Sequence, residues 1–164
     1  MLFDFNKALR TTLKNSQVFA GVNDAHIKLI MANGTKQKFQ KNDLIIREGQ
    51  KVRCLYLVVG GQLEVRLDEQ LAKGGVKRFS EIKLNTLEQG DCFGEYSLID
   101  QQPVSANIKA VESGTLFQIS CFDFEEIIAA NDLLAKIIYK NLLELLVRRL
   151  RKKDQTLDNI LLVV

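Results

Sequence analysis

Between Phe39 and Ser120 the apolar residues come in short runs, with no helical repeat separating one run from the next. The clearest are Leu44-Ile45-Ile46, Leu55-Tyr56-Leu57-Val58-Val59, the alternating Leu63, Val65 and Leu67, and Ile108-Lys109-Ala110-Val111. Such runs, rich in branched residues and bounded by turn signals, read as strands. Parallel neighbours would need crossover connections, usually helices, so the expected architecture is an antiparallel sandwich or jelly-roll barrel. Gly60-Gly61 separates two runs by two residues and predicts a tight hairpin whose turn uses positive φ. Ser113-Gly114 predicts another, between Ile108–Glu112 and Thr115–Ser120, and Gly74-Gly75 a third, looser connection. One brief helical segment interrupts the strands, from Gly94 to Asp100.

The flanks carry a different period. Phe5, Leu9 and Leu13 recur at a spacing of four, and a second helical segment runs from Asn23 to Met31, so the first forty residues read as helical. Asn23 or Asp24 can cap its start and Gly34 can end it. Ser120 and Asp123 form a capping-box-like pair before Phe124, Ile127 and Ile128. Asn131 caps one more helix, Asp132 complements its positive end, and Leu134, Ile138, Leu142, Leu145 and Leu146 run down one face. Continued to about Lys153, that helix is about 33 Å long at about 1.5 Å per residue. With 164 residues, the chain fits one core. The expectation is a mainly β domain with flanking α over 1–164: N-terminal helices over 1–35, a β-barrel over 36–120 and C-terminal helices over 121–164.

Several function classes fall away. Cys54, Cys92 and Cys121 are widely spaced and form no CxxC pair, which argues against a disulfide framework and a thiolate zinc site; a reducing cytoplasm is the expected home. Asp4, Lys7 and Arg10 interrupt the apolar start, so no secretory leader is expected, and no stretch has the roughly 18 to 20 apolar residues that span a bilayer. His26 is the single histidine, so no catalytic triad or metal centre is built on it. Glu125 and Glu126 adjoin on a helix and point in different directions. The chain carries no enzyme signature, no catalytic residue and no cofactor motif.

The densest cluster of unusual residues is Gly90-Asp91-Cys92-Phe93-Gly94-Glu95-Tyr96-Ser97-Leu98-Ile99, followed by Pro103-Val104-Ser105-Ala106. A glycine opening a short helical turn lets the backbone approach a ligand, and the free amides of such a turn attract anions. A carboxylate following it can accept hydrogen bonds from a sugar diol. With Asp43 to Gln50 and Leu55 to Val65, these residues resemble the cyclic nucleotide-binding domain family, which includes the catabolite activator protein and the regulatory subunits of cyclic-AMP-dependent kinase. The resemblance covers most of the chain. It implies a double-stranded β-helix (jelly-roll) barrel with a phosphate-binding cassette over 90–106, and a regulatory domain whose ligand is cyclic AMP or cyclic GMP. By position, the resemblance implies that Gly94 and the amides near it face the phosphate, Glu95 the ribose, and Ser105 with Ala106 the phosphate edge, with Phe93, Tyr96, Ser97 and Val104 completing the candidate nucleotide-binding set.

The family's phosphate arginine stands just before this serine, and here that residue is Val104. A guanidinium gives phosphate a bidentate, charge-assisted pair that valine cannot replace. Hydrogen bonds to charged groups contribute about 1.5 to 3 kcal/mol, so the loss weakens binding by about one to three orders of magnitude. Arg47, Arg53 and Lys109 are the other cations considered for the role. Glu95 therefore has two readings, as the ribose ligand or as an acid that caps the cassette turn or pairs with a neighbouring base. Gly90, Gly94 and Ser105 have structural readings beside their ligand readings, and Cys92 reads as a buried apolar-type cysteine.

In the relatives the long last helix lids the pocket and dimerises. The stripe Leu134, Ile138, Leu142 and Leu145 suits such a seam, and a homodimer through it is expected, with an unidentified protein partner besides. The basic run Arg148, Arg149, Arg151, Lys152 and Lys153 reads as a solvated helix end. Family transcription factors carry a helix-turn-helix after this helix, which Asp154 to Val164 cannot form, so direct DNA binding is not expected. Ile160 to Val164 is apolar and needs cover from the domain, a dimer mate or another protein. Two functions follow: a cyclic-nucleotide sensor signalling through its last helices, or a nucleotide-independent dimeric interaction module with a degenerate pocket.

Overall fold

A computed structural model describes residues 2–67 and 81–162 of the chain. It opens with α1 (Leu2–Asn15), a 3₁₀ turn at Gln17–Phe19 and α2 (Asp24–Asn33). Strands β1 (Thr35–Phe39), β2 (Leu44–Ile46), β3 (Cys54–Gly60), β4 (Leu63–Leu67), β5 (Ile82–Leu87) and β6 (Cys92–Phe93) follow. After α3 (Glu95–Ile99) come β7 (Asn107–Ala110), β8 (Gly114–Ser120), α4 (Cys121–Ala129) and α5 (Asp132–Leu161). The strands form two antiparallel four-stranded sheets, ordered β1-β8-β3-β6 and β2-β7-β4-β5, the jelly-roll arrangement the short runs imply.

The strand readings hold for β2, β3, β4, β7 and β8. The helical reading of the first forty residues does not: α2 ends at Asn33 and β1 pairs with β8 from Thr35 onward. Its sequence, TKQKF, buries only Phe39, so it carries almost no apolar signal. Gly34 ends α2, but in an extended conformation rather than a left-handed one. A Cβ there would sit 2.1 Å from the Phe117 ring, so close packing excludes a side chain.

Neither glycine turn closes a hairpin. The strands on either side of Gly60-Gly61 lie in different sheets, and so do those flanking Ser113-Gly114. Both turns are corners where the chain passes from one sheet to the other, and they pack on each other. A Cβ on Gly61 would fall 2.7 Å from the Ser113 carbonyl, and one on Gly114 would fall 2.0 Å from the Gly60 carbonyl. Two backbones in such contact leave no space for side chains. Gly74-Gly75 lies outside the described residues, but the strands it joins, β4 and β5, do pair.

Two apolar cores result. One fills the space between the sheets, with Phe39, Ile46, Tyr56, Val58, Leu63, Ile108 and Leu116. The other joins the outer face of the β1-β8-β3-β6 sheet to the helices, through Leu55, Leu57, Phe117 and Ile119 against Leu13, Ile27, Phe124 and Ile128. Because β3 is covered on both faces, it reads as a continuous apolar run instead of an alternating one.

α4 begins as its sequence implies, with the Ser120 hydroxyl accepting from the Asp123 amide at 3.0 Å. The Asn131 side chain caps α5, accepting from the Leu134 amide at 2.9 Å. Leu134, Ile138 and Leu142 are then buried in the helix-side core, with Leu145 partly buried against it. The domain itself covers this stripe, so these residues cannot form a dimer seam. Asn141 fastens the same face, donating its amide hydrogens to the carbonyls of Val18 at 3.0 Å and Ala20 at 2.8 Å. The helix also runs past Lys153 to Leu161.

Candidate functional site

The cassette is built on β3. The Glu88–Asp91 turn is pinned to it by two backbone bonds, Gly90 N–H to the Val58 carbonyl and Val58 N–H to the Asp91 carbonyl. β6 then pairs with β3, setting Phe93 opposite Tyr56, and the two rings stack with centroids 4.8 Å apart and planes 4° from parallel. Gly94 follows with φ of +86°, and a Cβ on it would lie 2.2 Å from the Cys54 carbonyl oxygen. The barrel wall therefore already requires glycine at this position. From Gly94 the chain enters α3, which buries Glu95, Ser97 and Leu98 and leaves Tyr96 exposed.

Glu95, at 3% exposure, has a defined partner. The Arg149 guanidinium, reaching in from α5, donates to its carboxylate and also to the Cys92 carbonyl oxygen, the latter at 2.6 Å. One side chain thus ties the last helix to both the strand and the helix of the cassette. An ionised carboxylate this buried is expensive without an opposite charge, and Arg149 supplies it. Arg47 and Arg53 are exposed, and Lys109 lies on β7 in register with Glu64; the cation brought to the cassette is Arg149. In the sequence Arg149 stands within a run that reads as solvated, although Leu134, Ile138, Leu142, Leu145 and Arg149 share one helical spacing. The basic run thus hides one member that faces inward.

On the other side of the site, Val104 exchanges backbone hydrogen bonds with the Gly49-Gln50 loop, at 2.8 and 3.0 Å. Its side chain packs against the inter-sheet core. Ser105 is exposed and Ala106 buried. Asn107, also buried, accepts from the Glu48 amide at 2.7 Å, which closes the loop onto β7. The structure places Phe93, Gly94, Glu95, Tyr96 and Ser97 around one turn, with Tyr96 exposed, and Val104, Ser105 and Ala106 on the next segment. Val104 makes the wall beside that segment apolar.

A cavity of about 230 Å³ opens beside the cassette, between the 3₁₀ turn, the Gln89-Gly90-Asp91 turn and Arg148 of α5. A shallower one of about 360 Å³ runs along Lys83–Thr86 of β5 under Lys152. Burial pushes the Cys92 thiol up to about 12, and its sulfur lies 3.5 Å from the Ser16 hydroxyl. Among the described residues no cluster of three or more His, Cys, Asp or Glu side chains is arranged to hold a metal ion. No described helix is long and apolar enough to cross a membrane.

Comparison with known proteins identifies relatives of this fold. A sequence model described as "Cyclic nucleotide-binding domain" matches residues 36–131. The chain is 33% identical over 146 residues to the cyclic AMP receptor protein of Thermus thermophilus, covering 89% of the chain and 62% of that relative. It therefore spans less than two thirds of that protein's length. The crystal structure of the Thermus thermophilus catabolite activator protein superposes with a TM-score of 0.70 at 29% identity, over 88% of this chain and 63% of that one. A cyclic nucleotide-binding domain from Methylobacillus flagellatus shares the fold, with a TM-score of 0.77 at 19% identity over 93% of this chain and 83% of that one.

Proposed function

The chain belongs to the cyclic nucleotide-binding domain family, and from that premise we propose that it is a non-catalytic regulatory domain whose cassette reports to its last helix through Arg149. The proposed ligand is a cyclic nucleotide, cyclic AMP or cyclic GMP, and the proposed setting is the cytoplasm. The contact between Arg149 and Glu95 carries this reading. A ribose diol that takes the Glu95 oxygens has to displace the guanidinium, and displacing it frees α5 from the cassette. Such a ligand shifts the balance between docked and released helix by its difference in affinity for the two. Val104 offers the cyclic phosphate no charge, so the backbone amides of the Gly94 turn are left to hold it without the bidentate pair a guanidinium would give. Breaking the clasp offsets part of the binding, so weak affinity is expected.

Val104 favours a second reading. Its side chain, partly buried, packs against the inter-sheet core, as befits a pocket that takes no nucleotide, a clasp that stays closed and a domain that acts only by binding protein. Calorimetric titration with cyclic AMP and cyclic GMP separates the two. Heat from the native chain that vanishes in Glu95→Ala supports the sensor. Silence from the native chain, with binding gained in Val104→Arg, supports the interaction module. Silence from both removes cyclic nucleotides from the account.

A further inference from the structure

The Arg149 guanidinium marks two acceptors on the cassette. One terminal nitrogen donates to the Glu95 carboxylate and the other to the Cys92 carbonyl oxygen, and both residues are buried. A ligand that takes the place of this fork has to serve both acceptors, because a buried oxygen left without a donor opposes binding. The two hydroxyls of a vicinal diol are spaced much as the two terminal nitrogens of a guanidinium, and each carries a hydrogen to donate. A ribonucleoside offers such a diol at its 2′ and 3′ positions. A 3′,5′-cyclic nucleotide does not, since its 3′ oxygen is esterified and only the 2′ hydroxyl is left to donate. It serves one acceptor and strands the other.

Charge selects in the same direction. Glu95 is the one charged residue among Phe93–Ser97 and Val104–Ala106, and a ligand that displaces Arg149 leaves that anion without its cation. Val104 stands with Ile45, Val52 and Cys54 at the margin of the inter-sheet core, so its segment presents hydrocarbon and the exposed Ser105. Arg47, Lys51 and Arg53 flank the loop that bonds to Val104, but all three are exposed, where water and salt screen them. A cyclic phosphate brings a second negative charge into this setting, and an uncharged nucleoside brings none. We propose that the cassette prefers nucleosides: a ribonucleoside whose diol replaces the Arg149 fork on Glu95 and Cys92 binds more tightly than the corresponding cyclic nucleotide. Val104 sets that preference on the side where a phosphate needs a cation. The inference rests on the reading above, in which a ribose at Glu95 releases Arg149, and names the class of ligand that does so best.

Calorimetric titration of the full chain with adenosine, guanosine, their 2′-deoxy and 3′-deoxy forms and the two cyclic nucleotides tests it. At least one ribonucleoside is expected to bind about tenfold or more tightly than its cyclic counterpart. Removing either hydroxyl should weaken it by about tenfold or more, the effect of one hydrogen bond to a charged or buried acceptor. Arg149→Ala should tighten the nucleoside, because no guanidinium has to leave. Val104→Arg should strengthen the cyclic nucleotide alone. A cyclic nucleotide that binds the native chain more tightly than its nucleoside overturns the inference and leaves the reading above in place. Nucleoside binding indifferent to either hydroxyl overturns the diol, and binding weakened by Arg149→Ala overturns the displacement. No heat from any of these ligands in the native chain overturns the sensor reading and the inference together.

Discussion

Arg149 and Glu95 meet across a sequence separation of 54 residues, and their contact is the one ion pair that joins the cassette to α5 among the described residues. The pair is asymmetric, because the carboxylate side chain is 3% exposed and the guanidinium side chain 22%. Removing the arginine strands a buried charge, whereas neutralising the glutamate leaves a cation that water can reach. Arg149→Ala is therefore expected to cost about 2 kcal/mol, below the range for a fully buried pair because of the arginine's exposure. Glu95→Gln costs less, and adding Arg149→Ala to it costs little more. Urea unfolding of the three variants measures the coupling. Simple additivity would show that the two side chains do not depend on each other.

Gly90 and Gly94 share a left-handed backbone, at φ of +95° and +86°, but only Gly94 is crowded. Alanine at either position carries the left-handed penalty of about 1–2 kcal/mol. At Gly94 the added methyl also meets the Cys54 carbonyl, so β6 must leave β3 or the turn must move. Gly94→Ala is expected to lose about 3 kcal/mol or more and Gly90→Ala about 1–2 kcal/mol. Equal losses in thermal or urea unfolding would mean that the cassette shifts freely on the barrel wall.

The same two glycines show what the sequence can and cannot convey. Their place in Gly90 to Ser97 is legible as a motif, because a ligand-binding turn and a crowded turn call for the same residue. The barrel was legible wherever a strand is buried, as in Leu55 to Val59. β1 and β5 carry a weak strand signal because each buries a single side chain, Phe39 and Leu87. The corners at Gly61 and Gly114 read as hairpins for a different reason. A two-residue link looks alike whether its strands pair with each other or turn away into separate sheets, and only the long-range pairing of β3 with β8 decides. The stripe from Leu134 to Leu145 was legible as an apolar face, yet periodicity does not say what covers it. Here the domain does, and the exposed face lies elsewhere on the helix.

Asn141 makes a prediction about pH. Its amide donates to two carbonyls of the 3₁₀ segment, and that bond pair holds α5 at the level of Val18. In Asn141→Asp an anion faces two acceptors, and a loss of about 2–4 kcal/mol is expected at neutral pH. The new carboxyl is easier to keep protonated when folded than when unfolded, so its folded pKa is raised. The variant therefore regains stability, relative to the native chain, as pH falls through that value. Stability curves for both proteins between pH 7 and pH 4 would show the gap narrowing; a constant gap would mean that α5 is held by its apolar face alone.

Cys92 distinguishes a fixed cassette from a breathing one. Its thiol is raised to about 12, and burial is the largest cause, ahead of Ser16, Glu95, Arg149 and Asp91. Cys121 is raised to about 11 and the half-buried Cys54 is raised as well, chiefly by desolvation in both cases. Since the thiolate is the reactive form, native protein at pH 8 is expected to be labelled by a disulfide reagent at Cys54 first. Cys92 should be modified only as fast as β6 opens, which peptide mass spectrometry can follow over time. Arg149→Ala removes the bond from α5 to the Cys92 carbonyl, so it should accelerate modification of Cys92 and leave Cys54 unchanged. Cys92 labelling as fast as Cys54 in the native chain would mean that Arg149 does not hold the strand closed.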